Sequence, residues 1–127
     1  MDKATNNEIR NTAVGLSVKL DVYIFTEDNT VIAYSPALDL CGSGYTYSEA
    51  KESFHIAVTE YLDYGLSHRT LVADLRSHGW KVRSLKQRKM ASPTFDTLLR
   101  TNPTFRDILE NKDYRKETQP MPFPVIA

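Results

Sequence analysis

Between Leu16 and Ile24, the apolar side chains Leu16, Val18, Leu20, Val22 and Ile24 alternate with Ser17, Lys19, Asp21 and Tyr23. An extended chain points successive side chains to opposite faces, so a period of two predicts a strand with one face in a core. Such a strand needs a neighbour and a covering layer, and the next segments supply both. Glu27-Asp28-Asn29-Thr30 is a polar turn, and Val31-Ile32-Ala33-Tyr34 reads as a second strand joined by a hairpin. Pro36 has no N–H to give to a ladder and ends or edges that strand. Cys41-Gly42-Ser43-Gly44-Tyr45 is expected to form a turn and a short third strand, with Cys41 a small buried residue.

Thr46 and Glu49 have the spacing of a capping box, in which each side chain satisfies the other residue's free N–H at a helix start. Ala50, Phe54, Ala57, Val58, Tyr61 and Leu62 then fall on one helical stripe, while Lys51, Glu52, His55, Thr59 and Glu60 mostly point elsewhere. Gly65 is expected to stop this helix. A second helix is expected to begin with Ser67 as its cap, bury Leu71, Val72 and Leu75, and close at Gly79. Trp80-Lys81-Val82-Arg83-Ser84-Leu85 alternates again and reads as a strand returning to the sheet.

The fold class is therefore α/β of the α+β kind. A small, mostly antiparallel sheet of three to four strands is packed by helices in the order β-β-β-α-α-β. Residues 1–15 form a polar lead-in, 16–89 the main domain and 90–127 a helical extension with an apolar tail. In that extension Ser92-Pro93-Thr94-Phe95 is echoed ten positions later by Asn102-Pro103-Thr104-Phe105. Each copy is expected to start a short helix with a capping residue followed by proline at the first helical position. The tail Met121–Ala127 either covers its own domain or docks on a second chain. An uncovered sheet face would favour a homodimer or higher oligomer.

The chain has 127 residues with 16 basic and 16 acidic side chains, giving a formal net charge of zero, so any polyanion-binding surface must be local. A single cysteine excludes an intramolecular disulfide and any Cys-x-x-Cys motif. No apolar run approaches the ~20 residues of a membrane-spanning helix, and the first residues lack the apolar stretch of a secretory signal. A cytoplasmic protein with no membrane partner is the expectation.

The run from Ala33 to Ala50 resembles the HicB-like antitoxin family. Ala33, Tyr34, Pro36 and Leu38 match its Ala-Tyr-x-Pro-x-Leu segment. Cys41, Gly44, Thr46, Glu49 and Ala50 match its cysteine-containing turn and the Thr-x-x-Glu-Ala helix start. Asp39-Leu40 stands where that family usually has Pro-Gly, and Tyr45 where it usually has an acid. The resemblance implies a partial ribonuclease-H-like fold without catalysis. It also implies a small basic toxin ribonuclease as partner, neutralised by binding, with autoregulation through operator DNA in many members. The Leu75–Trp80 junction also looks like one in the cognate toxin family, but the Gly-Ser-His segment expected downstream is missing.

No catalytic, metal or cofactor set emerges. Asp21, Asp28 and Asp39 read as solvated turn residues, whereas a metal-dependent nuclease would need carboxylates gathered around divalent ions. His55, His68 and His78 show no metal-ligand spacing and read as solvent-facing or helix-capping. The candidate contact residues are Arg76, His78, Lys81, Arg83, Lys86, Arg88 and Lys89, in a stretch with no acid between Asp74 and Asp96. They would serve a protein partner or, in an orphan regulator, DNA or RNA. Strand geometry puts Lys81 and Arg83 on one side with Trp80 and Val82 on the other, which argues against Trp80 stacking on a base.

Overall fold

The computed structural model describes residues 15–85 and 89–124. In chain order the elements are strands β1 (Gly15–Glu27), β2 (Thr30–Ser35) and β3 (Leu40–Gly44), then helices α1 (Tyr47–Ser67) and α2 (Leu71–Ser77). Strands β4 (Lys81–Ser84) and β5 (Lys89–Ala91) follow, then helices α3 (Phe95–Thr101) and α4 (Pro103–Asn111), and finally strand β6 (Arg115–Pro124). An antiparallel four-stranded sheet runs β3-β2-β1-β6, and β4 and β5 form a separate two-stranded hairpin.

The α+β class holds, but the fourth sheet strand is β6. The segment after Trp80 pairs instead with Lys89–Ala91, and β6 lies beside β1 from Gly15↔Pro124 to Ile24↔Arg115. The polar composition of residues 112–119 hid this strand. Its odd positions nevertheless meet α1, where the Tyr47 hydroxyl donates to Glu117 and His55 Nε2 bonds Gln119 Oε1 at 2.9 Å.

The alternation in β1 fills two cores. Leu20, Val22 and Ile24 face α1, α2 and the β4–β5 hairpin, in a cluster with Phe54, Val58, Leu75, Trp80, Val82, Met121 and Phe123. Tyr23 and Phe25 face the other way, joining Tyr34 under Leu98, Phe105 and Ile108 of α3 and α4. Helices thus cover both faces of β1. The start of the apolar tail packs on its own sheet, with Met121 and Phe123 buried, while Val125–Ala127 lie outside the described residues.

Both sheet edges are blunted against further pairing. Asp28 and Asn29 hold left-handed backbone (φ 52° and 63°) between the directly paired Glu27 and Thr30, as in a type I′ hairpin turn. Glu27 and Thr30 then exchange hydrogen bonds, so odd-numbered β1 residues turn their backbone groups to β2 and even-numbered ones to β6. The β6 partners of those even residues are odd, as in Leu20↔Gln119 and Val18↔Met121. The backbone nitrogens of Pro120, Pro122 and Pro124 therefore lie on the free edge, where proline has no N–H to donate. At the opposite edge the Ser43 N–H donates to Ser53 Oγ of α1 at 3.2 Å.

Helix boundaries follow the capping chemistry with three corrections. The Thr46–Glu49 capping box forms, and Ala50, Phe54, Val58 and Leu62 are buried. Gly65 does not stop α1; a Cβ there would lie 3.0 Å from that of Leu71, so the glycine lets α2 approach closely. Ser67 is the last residue of α1, and α2 starts after Thr70 without a side-chain cap. In the Pro-Thr-Phe pair only the second copy starts as expected, with Asn102 as cap and Pro103 at the first position. The first copy uses Thr94, which accepts from Thr97 N–H, so Pro93 precedes the cap and sits against Gly79.

Candidate functional site

The contact residues named from the sequence separate into two places. Lys81 and Arg83 of β4 and Lys89 of β5 are exposed, while Val82 between them is buried and Met90 packs on the core. The hairpin therefore presents cations outward, and none of the three is paired with a carboxylate among the described residues. Lys86 and Arg88 lie outside the described residues. Trp80 is 3% exposed and its indole N–H donates to Ala37 O at 2.7 Å, so it is a core residue closed to any base.

Arg76 and His78 instead line a cleft of about 400 Å³. Its walls are the β2–β3 turn (Pro36, Asp39), the end of α2 (Arg76 to Gly79) and the α3–α4 corner (Thr97, Leu98, Thr101 to Thr104). A hydrogen-bonded chain ties the first and last of these walls together. The Tyr34 hydroxyl donates to Asp39 Oδ1 at 2.6 Å and accepts from Asn102 Nδ2 at 2.8 Å. Burial, together with the bond to Asp39, pushes the Tyr34 phenol well above its ordinary range. Asp39 holds left-handed backbone (φ 55°), a conformation aspartate tolerates better than most residues. Its carboxylate turns onto Tyr34 and leaves one oxygen for the cleft.

His78 Nδ1 lies 2.9 Å from Asp74 O. A carbonyl can only accept, so Nδ1 carries a proton and Nε2 is left as an acceptor in the neutral ring. His68 meets Tyr64 O at 3.0 Å in the same way at the end of α1. Both histidines cap helix ends, as expected. Arg76 gives Nη2 to Val82 O, and the rest of its donor fork stays free.

Sequence reading missed the outer face of α1. Glu52, Ile56, Glu60, Asp63 and Tyr64 are exposed there, with Ile56 at 54%. Residues three, four and seven apart share a helix face, so Ile56 sits among Glu52, Glu60 and Asp63. None of these carboxylates has a cationic partner among the described residues, and the last turn of α1 carries no basic residue. The signal was the absence of any i,i+4 cation opposite these acids. Cys41 is exposed, which corrects the buried reading: its side chain points to the α3–α4 face of the sheet, beyond the cluster those helices cover.

The described residues hold no group of three or more potential metal ligands and no helix long and apolar enough to cross a membrane. The chain matches no family model, curated protein or solved structure.

Proposed function

We propose that this chain is a non-catalytic, antitoxin-like inhibitor that neutralises a small basic ribonuclease by docking the outer face of α1 on it. The observation that carries the reading is Ile56, an exposed aliphatic ringed by the unpaired carboxylates Glu52, Glu60 and Asp63. Like charges at i,i+3 and i,i+4 weaken a helix, and acids near its carboxyl end oppose its dipole. This face is therefore poorly arranged for the isolated helix and well arranged for a cationic partner. A protein that cuts RNA presents cations to hold phosphates, and an apolar anchor within complementary charge is the usual anatomy of a binding hot spot.

The residues behind the HicB-like resemblance support the same reading. Ala33, Tyr34, Leu38 and Ala50 are buried, Thr46 and Glu49 form the capping box, and Gly44 lies against Glu49. The ribonuclease-H-like ancestry and a cytoplasmic location belong to the same proposal. Its test is co-expression with the product of the adjacent gene, which the reading requires to be a small basic protein. The expected result is a stable complex that suppresses RNA cleavage and weakens at least about tenfold on Ile56→Arg, the scale of a lost hot-spot residue. A folded preparation that binds no such protein, or binds it equally well as Ile56→Arg, overturns the reading.

A second reading is favoured by the three exposed cations of the β4–β5 hairpin, which could contact the backbone of DNA or RNA. It requires salt-dependent nucleic-acid binding whose salt slope falls when Lys81, Arg83 and Lys89 are changed to glutamine.

A further inference from the structure

The cleft between the β2–β3 turn, the end of α2 and the α3–α4 corner offers a set of groups that the proposed α1 interface does not use. Its about 400 Å³ lies within the range of small-molecule sites. Arg76 supplies the free part of a guanidinium fork, the side chain best matched to a phosphate. Asp39 keeps one carboxylate oxygen after bonding Tyr34, and a carboxylate accepts from a ligand hydroxyl. His78 Nε2 is a further acceptor, and the Thr104 hydroxyl has no partner among the described residues. Exposed Pro103 adds an apolar surface on which a flat ring can lie, with the buried Pro36 and Leu98 behind it.

We infer that this cleft binds a nucleoside monophosphate unit, with phosphate on Arg76, ribose hydroxyls on Asp39 and the base against Pro103. The mixture of groups selects that class. A bare anion would leave Asp39 opposed to it, a neutral sugar would leave Arg76 unused, and neither would cover the apolar surface. The built walls favour a preformed site: the Asp39–Tyr34–Asn102 chain fixes two of them to the sheet, and Pro93 against Gly79 fixes the third. The unit could be a free nucleotide or the end of an RNA strand, since both present the same chemistry.

The experiment titrates the full chain with adenosine monophosphate, with a short single-stranded RNA and with inorganic phosphate. Amide NMR shifts of Gly79, Thr101 and Thr104 report on the cleft, and those of Ile56 and Glu60 report on the α1 face. Adenosine monophosphate or RNA is expected to move the cleft amides and leave the α1 amides in place. Response to the nucleotide assigns the site to free nucleotide, and response to RNA alone assigns it to a strand end. Arg76→Gln is expected to weaken binding about tenfold or more, the scale of a lost charge-assisted hydrogen bond. Asp39→Asn keeps the left-handed turn and an acceptor for Tyr34, so it should weaken nucleotide binding while leaving the fold intact. The inference is overturned if neither nucleotide probe moves the cleft amides, if phosphate alone binds as well as the nucleotide, or if Arg76→Gln binds undiminished. These outcomes are independent of Ile56→Arg, so the cleft and the α1 interface stand or fall separately.

Discussion

The side-chain amide of Asn102 donates to the Tyr34 hydroxyl at 2.8 Å while its oxygen accepts from Phe105 N–H at 3.0 Å. One residue therefore caps α4 and moors it to the second strand of the sheet. Asn102→Ala is expected to lose about 2 kcal/mol, combining a lost cap with a weakened buried tyrosine. Asn102→Asp keeps the cap but cannot donate to Tyr34, so it should recover roughly half of that loss. Urea midpoints of the two variants measure the difference.

Alkaline pH should unfold the protein through its tyrosines. Burial, aided by the nearby Asp21 carboxylate and by Tyr114, pushes Tyr23 from its ordinary value of 10.0 up to about 12. Burial and a carboxylate bond raise Tyr34 and Tyr61 in the same direction. An unfolded tyrosine releases its proton first, so this stabilisation is complete below pH 10 and is lost as pH rises towards 12. Tyrosinate absorbance and circular dichroism followed together should change in one cooperative step. Ionisation of these tyrosines at their ordinary value with no loss of structure would refute the account.

Ser35 is 0% exposed and its hydroxyl has no hydrogen-bond partner among the described residues. An unpaired buried hydroxyl costs on the order of 1–3 kcal/mol. Ser35→Ala removes that cost and is expected to raise the unfolding midpoint. A fall in the midpoint would show that the hydroxyl is satisfied in solution.

Gly42 brings β3 hard against the backbone of α1. A Cβ there would sit 2.1 Å from Phe54 N, a backbone atom that cannot rotate away. Gly42→Ala should therefore separate β3 from α1 and cost more than about 3 kcal/mol, the upper range for overpacking. Ser43→Ala, one position along, is exposed and keeps the backbone N–H that bonds Ser53, so it should change stability by no more than about 0.5 kcal/mol. Parallel thermal melts make the contrast.

What could be read along the chain was whatever is written locally. The period of two in Leu16–Ile24, the Thr46–Glu49 box and the Asn102-Pro103 start are decided within a few residues, and each appears where its chemistry puts it. What escaped was decided by distant partners. Strand β6 has three prolines and a polar first half, and only its ladder with β1 makes it a strand. The cleft joins Asp39, Arg76 and Thr104, which share no local pattern. The basic hairpin was legible because its charges lie close together, whereas the α1 face could be recognised only once its lack of cations was placed on one surface.

The Gly15–Pro124 ladder has a consequence for how the molecule is made. Strand β1 is synthesised before β6 with every other element between them, so β1 must wait for that whole stretch before its second edge is filled. Loop closure over that distance is slow compared with forming the β1–β2 hairpin and α1. A nascent chain therefore passes through a stage with Leu20 and Val22 partly assembled and one edge open. The same prolines that blunt β6 in the finished sheet can do nothing for it then. Any factor that shelters this protein during synthesis should recognise β1.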